Sequence, residues 1–184
     1  LKDWPVEQYC RDSKIFSIYE GTNAIQALDL VGRKLGQGGG KNTQAFLGDI
    51  QTFINAHLEH PELKPAVANL QKAHEAVGGS VMQFLGWFQA QQMPNIVLNA
   101  DRFRHMMSKL AIGWLLLEAS SIAIENLAKD DLSAQDRAFY LGKKMSGIFY
   151  AMNIVTEVVG SARMLRAADA SPLAMTDEAF GPAL

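Results

Sequence analysis

One short stretch of this sequence groups residues whose types and order suit them to chemistry. Tyr19-Glu20-Gly21-Thr22-Asn23 sets a carboxylate between an aromatic residue and a glycine, just ahead of a threonine that is a good helix N-cap. A carboxylate is a weak base, with a reference pKa of about 4.3, and apolar surroundings raise that value by disfavouring the charged form. Gly21 permits a tight backbone approach directly after it. Taken alone, these residues also fit a solvated turn. The other groupings carry less. Gly36 to Lys41 is rich in glycine, but Leu35 stands where a phosphate-binding loop needs its first glycine, and Asn42 follows Lys41. A helix precedes it where that loop requires a strand, so it reads as a linker. His57 and His60 lack a third ligand at suitable spacing and read as a solvated helix end; no metal is expected. His74 and His105 read as structural. Met106, Met107, Met145 and Met152 follow the apolar stripes and read as core. Lys143, Lys144, Arg163 and Arg166 read as surface charge.

The stretch extends on both sides in a recognisable order. It runs Asp3-Trp4-Pro5-Val6-Glu7, then Tyr9-Cys10-Arg11-Asp12-Ser13-Lys14-Ile15, then Ile18-Tyr19-Glu20-Gly21-Thr22-Asn23-Ala24-Ile25-Gln26. This resembles the C-terminal signature of the acyl-CoA dehydrogenases, and the likeness covers residues 3 to 35. The continuation Ala27 to Leu35 resembles the long bacterial branch of that family, whose extra helical C-terminal region matches residues 41 to 184 in length and character. The tail Asp177-Glu178-Ala179-Phe180 is similar too.

The resemblance implies an FAD-dependent α,β-dehydrogenation of an acyl-CoA thioester, as in fatty acid β-oxidation. By that likeness Glu20 removes the α-proton, and its backbone N–H donates to the thioester carbonyl. Tyr19 supplies apolar wall with a polar tip, and Gly21 lies against the substrate. Thr22 stands near the flavin pyrophosphate. Ala24 replaces a polar residue that some members turn toward the flavin, with Asn23 as the candidate substitute. Arg11 and Asp12 are expected to form a structural ion pair or cap.

Elements that position such a site must be helical throughout. Apolar residues recur at helical spacing and no convincing strand appears, so the expected fold is all-α, an up-and-down bundle of long antiparallel helices. Pro5 is placed in the first turn of a helix reaching about Ser13, Ile15 to Gly21 in a loop, and Thr22 at the cap of a helix to Leu35. Asn42 or Thr43 caps the next, which carries Ile50 and Ile54. A fourth spans about Glu62 to Gln91, where Gly78-Gly79 is a potential kink. After Pro94 come a helix to about Lys129 and one from Ala134 to Ala168, turning Phe139, Met145, Phe149, Met152, Val155 and Val159 to one side. An irregular tail ends the chain. The division is 1–35 for the end of the dehydrogenase helical domain, 36–41 for the linker and 42–184 for the helical extension.

The chain has 184 residues, 48% of them hydrophobic, and a formal net charge of -2, which gives no electrostatic case for nucleic acid or an anionic membrane. The apolar run Leu110 to Leu117 is too short for a bilayer span, and the surrounding helix is expected to be central or to meet another subunit. A single cysteine, Cys10, fits a reducing, cytoplasmic setting. Leu1 falls in mid-pattern, so the chain reads as a fragment that has lost most of its flavin site and is inactive alone. The expected partners are the acyl-CoA, an electron acceptor that the residues leave open, and further copies of the chain. The competing reading is a non-catalytic helical module for oligomerisation.

Overall fold

A computed structural model describes residues 5–19 and 21–181, and all regular elements among them are helical. The seven α-helices are α1 (Val6–Lys14), α2 (Asn23–Asp29), α3 (Lys41–His57), α4 (Lys64–Gln89), α5 (Met93–Leu127), α6 (Ala134–Asn153) and α7 (Glu157–Ala167). The all-α expectation holds, and cross-helix contacts fix the directions. Phe46 meets Trp114 and His57 meets Ser121, so α3 and α5 run the same way. Phe84 meets Phe103, while Leu70 lies beside Gly113, so α4 opposes α5. Ser120 abuts Gly147, Gly113 abuts Val155 and Lys109 pairs with Glu157, so α6 and α7 also oppose α5. The outcome is an up-down-up-down bundle.

The core forms where the helical stripes converge. Phe84, Phe103, Leu70, Leu110 and Leu117 are fully buried, and Phe84 meets Trp87 and Phe103 edge-on at centroid distances of 5.3 and 5.0 Å. Such edge-to-face pairs contribute about 0.5–1.5 kcal/mol beyond the area they bury. Helix α5 is central, packing against α2, α3, α4, α6 and α7. By length and composition it is long and apolar enough to cross a bilayer, but those neighbours give it a place in the bundle.

Several expectations are corrected. Pro5 lies just before α1, and Ile15–Ser17 form a 3₁₀ turn within the segment expected to be loop. The second helix widens to a π turn over Leu30–Lys34. Gly40, not Asn42 or Thr43, precedes α3, because Gly38, Gly39 and Gly40 all adopt positive φ to turn the chain there. Thr43 instead donates its hydroxyl to the Leu35 carbonyl at 3.2 Å. Helix α4 passes through Gly78-Gly79 without a break, and Pro94 starts α5, in the first turn where no N–H is needed. The tail holds two 3₁₀ turns, Ser171–Ala174 and Asp177–Phe180.

The largest correction concerns the final helix, which is two. Ile154, Val155 and Thr156 interrupt it, with the Val155 N–H reaching back to the Tyr150 carbonyl and Thr156 Oγ1 donating to Asn153. Five of the six residues Ile154 to Val159 are β-branched, a run that weakens helix propensity, and Val155 turns into the bundle against Gly113. Phe139, Met145, Phe149, Met152 and Val159 are exposed; of the stripe expected along one side of that helix, only Val155 is buried. The buried positions of α6 are Gly147 and Ala151, and at Gly147 α5 approaches too closely for any side chain. Met106 is core as expected, but Met145 and Met152 are not.

His57 also departs from the solvated reading. Its ring stacks on Phe53 at 4.2 Å, Nδ1 lies 2.8 Å from the Phe53 carbonyl and Nε2 lies 2.9 Å from Ser121 Oγ. A carbonyl only accepts, so Nδ1 carries the hydrogen. Lys144, expected at the open surface, is largely covered and pairs with Glu62.

Candidate active-site segment

The segment that carries the signature wraps from α1 through the 3₁₀ turn into α2. In α1, Arg11 pairs with Glu7 one turn back rather than with Asp12, and both partners are exposed. Such a pair contributes little. Glu20 lies outside the described residues, so the geometry comes from its neighbours. Gly21 has φ +109°, which L side chains rarely adopt, and a Cβ there would meet Ile25 Cγ2 at 3.0 Å. Thr22 is extended, caps α2 as expected, and its Oγ1 accepts from the Ile25 N–H at a long 3.5 Å. Asn23 opens the helix and is exposed.

The loop before Gly21 is tied down by a residue to which the sequence alone assigned no role. Gln26 Nε2 lies 3.0 Å from the Phe16 carbonyl oxygen, 3.2 Å from that of Tyr19 and 3.3 Å from that of Gly21. Three acceptors around one atom identify it as the amide nitrogen, whose two hydrogens are shared among them. The chain is therefore held at Tyr19 and at Gly21, on either side of position 20, from one point on α2. The order of the motif contains Gln26, but only the fold-back of the loop brings the three carbonyls to it.

Apolar surface surrounds this turn. Phe16 is 73% exposed, Ile18 63%, Tyr19 65% and Ile25 55%. At Tyr19 the backbone carbonyl is held while the ring is uncovered. A polar pocket of about 650 Å³ adjoins α2, lined by Gln26, Asp29, Arg33, Lys34, Arg104 and Ser108. Its charges are mostly paired: Arg33 donates to Asp29 at 2.6 and 2.8 Å, and this guanidinium holds the Asp29 carboxyl below the usual carboxylate range. Among the described residues no cluster of His, Cys, Asp or Glu has the makings of a metal site.

Gly21→Ala is expected to strain this turn by about 1–3 kcal/mol, since both φ and Ile25 oppose a side chain. Hydrogen exchange should then accelerate at the Ile25 and Gln26 amides and stay unchanged in the bundle core. Unaltered exchange at those amides would remove the need for glycine.

A helical bundle appended to this signature defines the C-terminal helical region of one enzyme family, and comparison with known proteins agrees. Residues 46–176 match the family model described as acetyl-CoA dehydrogenase C-terminal like. The chain belongs to the acyl-CoA dehydrogenase family, as its C-terminal region. It is 32% identical over 185 residues to a broad-specificity linear acyl-CoA dehydrogenase of Mycobacterium tuberculosis, covering 98% of this chain and 30% of that protein. It is 32% identical over 180 residues to a butyryl-CoA dehydrogenase of Syntrophomonas wolfei, covering 98% and 29%. A 3-methylmercaptopropionyl-CoA dehydrogenase of Ruegeria pomeroyi is 30% identical over 159 residues, covering 85% and 26%. The chain therefore spans less than a third of the length of these relatives.

Proposed function

We propose that this chain is the C-terminal part of an FAD-dependent acyl-CoA dehydrogenase that introduces a trans-2,3 double bond into an acyl-CoA thioester. The observation that carries the reading is the signature around position 20, placed on a turn that Gly21, Thr22 and Gln26 define. Glu20 takes the α-proton, and its pKa rises toward a useful value once apolar surfaces close over it. FAD, when bound, supplies the acceptor for the β-hydrogen as hydride. Thr22 and Asn23, exposed at the start of α2, fit an edge contact with such a group. The described residues leave the turn open on its apolar side, so the enclosure comes from the rest of a longer protein. The cytoplasm is the proposed setting, consistent with the exposed free thiol of Cys10.

The test compares two proteins. The longer parent should purify yellow and dehydrogenate acyl-CoA thioesters with a dye acceptor, whereas the 184-residue chain should purify colourless and inactive. Stoichiometric flavin absorbance in the 184-residue chain would contradict the division of the site proposed here.

A second reading, a helical module for oligomerisation, is favoured by a separate observation. Leu141, Met145, Phe149 and Met152 fall on one flank of α6 and are all exposed, as are Ile112, Leu115 and Ile122 on α5. Apolar strips of this extent mark contact surfaces. Analytical ultracentrifugation of the chain should show a concentration-dependent dimer or larger species. A monomer over a wide concentration range would end this reading.

A further inference from the structure

We propose that Gln26 is the positioning residue of the base loop, a role that rests on the reading of Glu20 as the base. Its side-chain amide spans Phe16, Tyr19 and Gly21, and two of those three carbonyls belong to the residues flanking position 20. Peptide units are planar, so holding the Tyr19 and Gly21 carbonyls restrains the unit that leads into position 20 and the unit that follows Gly21, which pins the chain close on either side of the base. Among the described residues no other side chain bonds the Tyr19 or Gly21 carbonyl. Backbone bonds from the Ile18 and Tyr19 N–H groups to the Ile15 carbonyl hold the chain only as far as Tyr19, the Thr22 cap serves Ile25, and the apolar side chains of the loop are exposed. The anchor itself is firm: Gln26 is half-buried on α2, beside the fully buried Ala27, and α2 packs against α5. The chemistry needs a donor with no acceptor turned toward the loop. Leucine has the shape and no donor; glutamate would set a carboxylate against three carbonyl oxygens; lysine brings three donors and no acceptor.

Two experiments test this. In the 184-residue chain, Gln26→Leu should speed chymotryptic cleavage after Phe16 and Tyr19 on the order of tenfold, as expected for the net loss of one or two hydrogen bonds. The melting temperature of the bundle should hardly move, and Gln26→Lys should restore much of the protection. In the flavin-loaded parent, Gln26→Leu should lower kcat by roughly tenfold to a hundredfold, the scale of a misplaced catalytic group. KM and flavin content should change little, and Gln26→Lys should again recover part of the loss. Unchanged proteolysis in Gln26→Leu would overturn the proposal, as would a Gln26→Leu parent that turns over like the wild type. Equal defects in the leucine and lysine variants would assign Gln26 to packing and overturn it as well. The two readings fail separately: full turnover by Glu20→Gln removes the base, whereas the proteolysis result depends on the clamp alone.

Discussion

Gly147→Ala should destabilise the bundle by about 2–3 kcal/mol, the upper part of the range for overpacked cores. The reason is a clash on two fronts. A Cβ at this position would lie 2.1 Å from Ser120 Oγ and 2.3 Å from the Leu116 carbonyl oxygen, and neither the helix backbone nor a hydroxyl bound within it has room to yield. Ser120 is fully buried, donates to Leu116 at 2.9 Å and sits 3.1 Å from the Lys144 carbonyl, so its rotation forfeits those contacts. Only a wider α5–α6 separation relieves the clash, and that unpacks Gly113 from Val155 further along. The comparison with Gly142 makes the test decisive. Gly142 lies in the same helix, is exposed and has nothing within 4 Å of its Cβ position. There the substitution gains helix propensity, and Gly142→Ala should stabilise by about 0.5–1 kcal/mol. Urea unfolding of the two variants should therefore move in opposite directions. A Gly147→Ala variant at least as stable as the wild type would mean that the α5–α6 seam is not as close as described.

The second large effect is catalytic. In the longer parent, Glu20→Gln should lower kcat by about 10²–10⁴-fold, the range associated with a positioned general base. Glutamine preserves the shape and hydrogen-bonding capacity of the side chain but cannot take a proton. Flavin content and melting temperature should match the wild type, which separates loss of the base from loss of the fold. Substantial turnover in this variant would mean that another group removes the α-proton.

How far the sequence foretold this structure differs by element. The up-and-down bundle is legible because α3, α4 and α5 bury large residues at helical spacing, with Ile50 and Ile54 of α3 where the pattern puts them. The α6 face is not. Its conspicuous aromatic and methionine stripe looks like a core, yet the core-facing side is the one with Gly147 and Ala151. Periodicity reports where the large apolar residues are; it does not report that two helices approach closely enough to exclude them. The break before α7 was hidden for a related reason, since it depends on Val155 seating against Gly113, forty-two positions earlier in the chain. At the turn, Gly21 and Thr22 act through bonds to near neighbours, so motif order was enough to read them. Gln26 and His57 act through contacts made by folding back, with the loop in one case and with α5 in the other. No local pattern encodes those.

Proton abstraction can be isolated from everything that follows it by giving the parent protein an acyl-CoA whose β-carbon is replaced by sulfur, so that no β-hydrogen is available. In heavy water, the wild type should exchange the α-hydrogens of this thioester for deuterium, Gln26→Leu should do so more slowly, and Glu20→Gln should not do so measurably. Exchange by Glu20→Gln at the wild-type rate would contradict the central assignment.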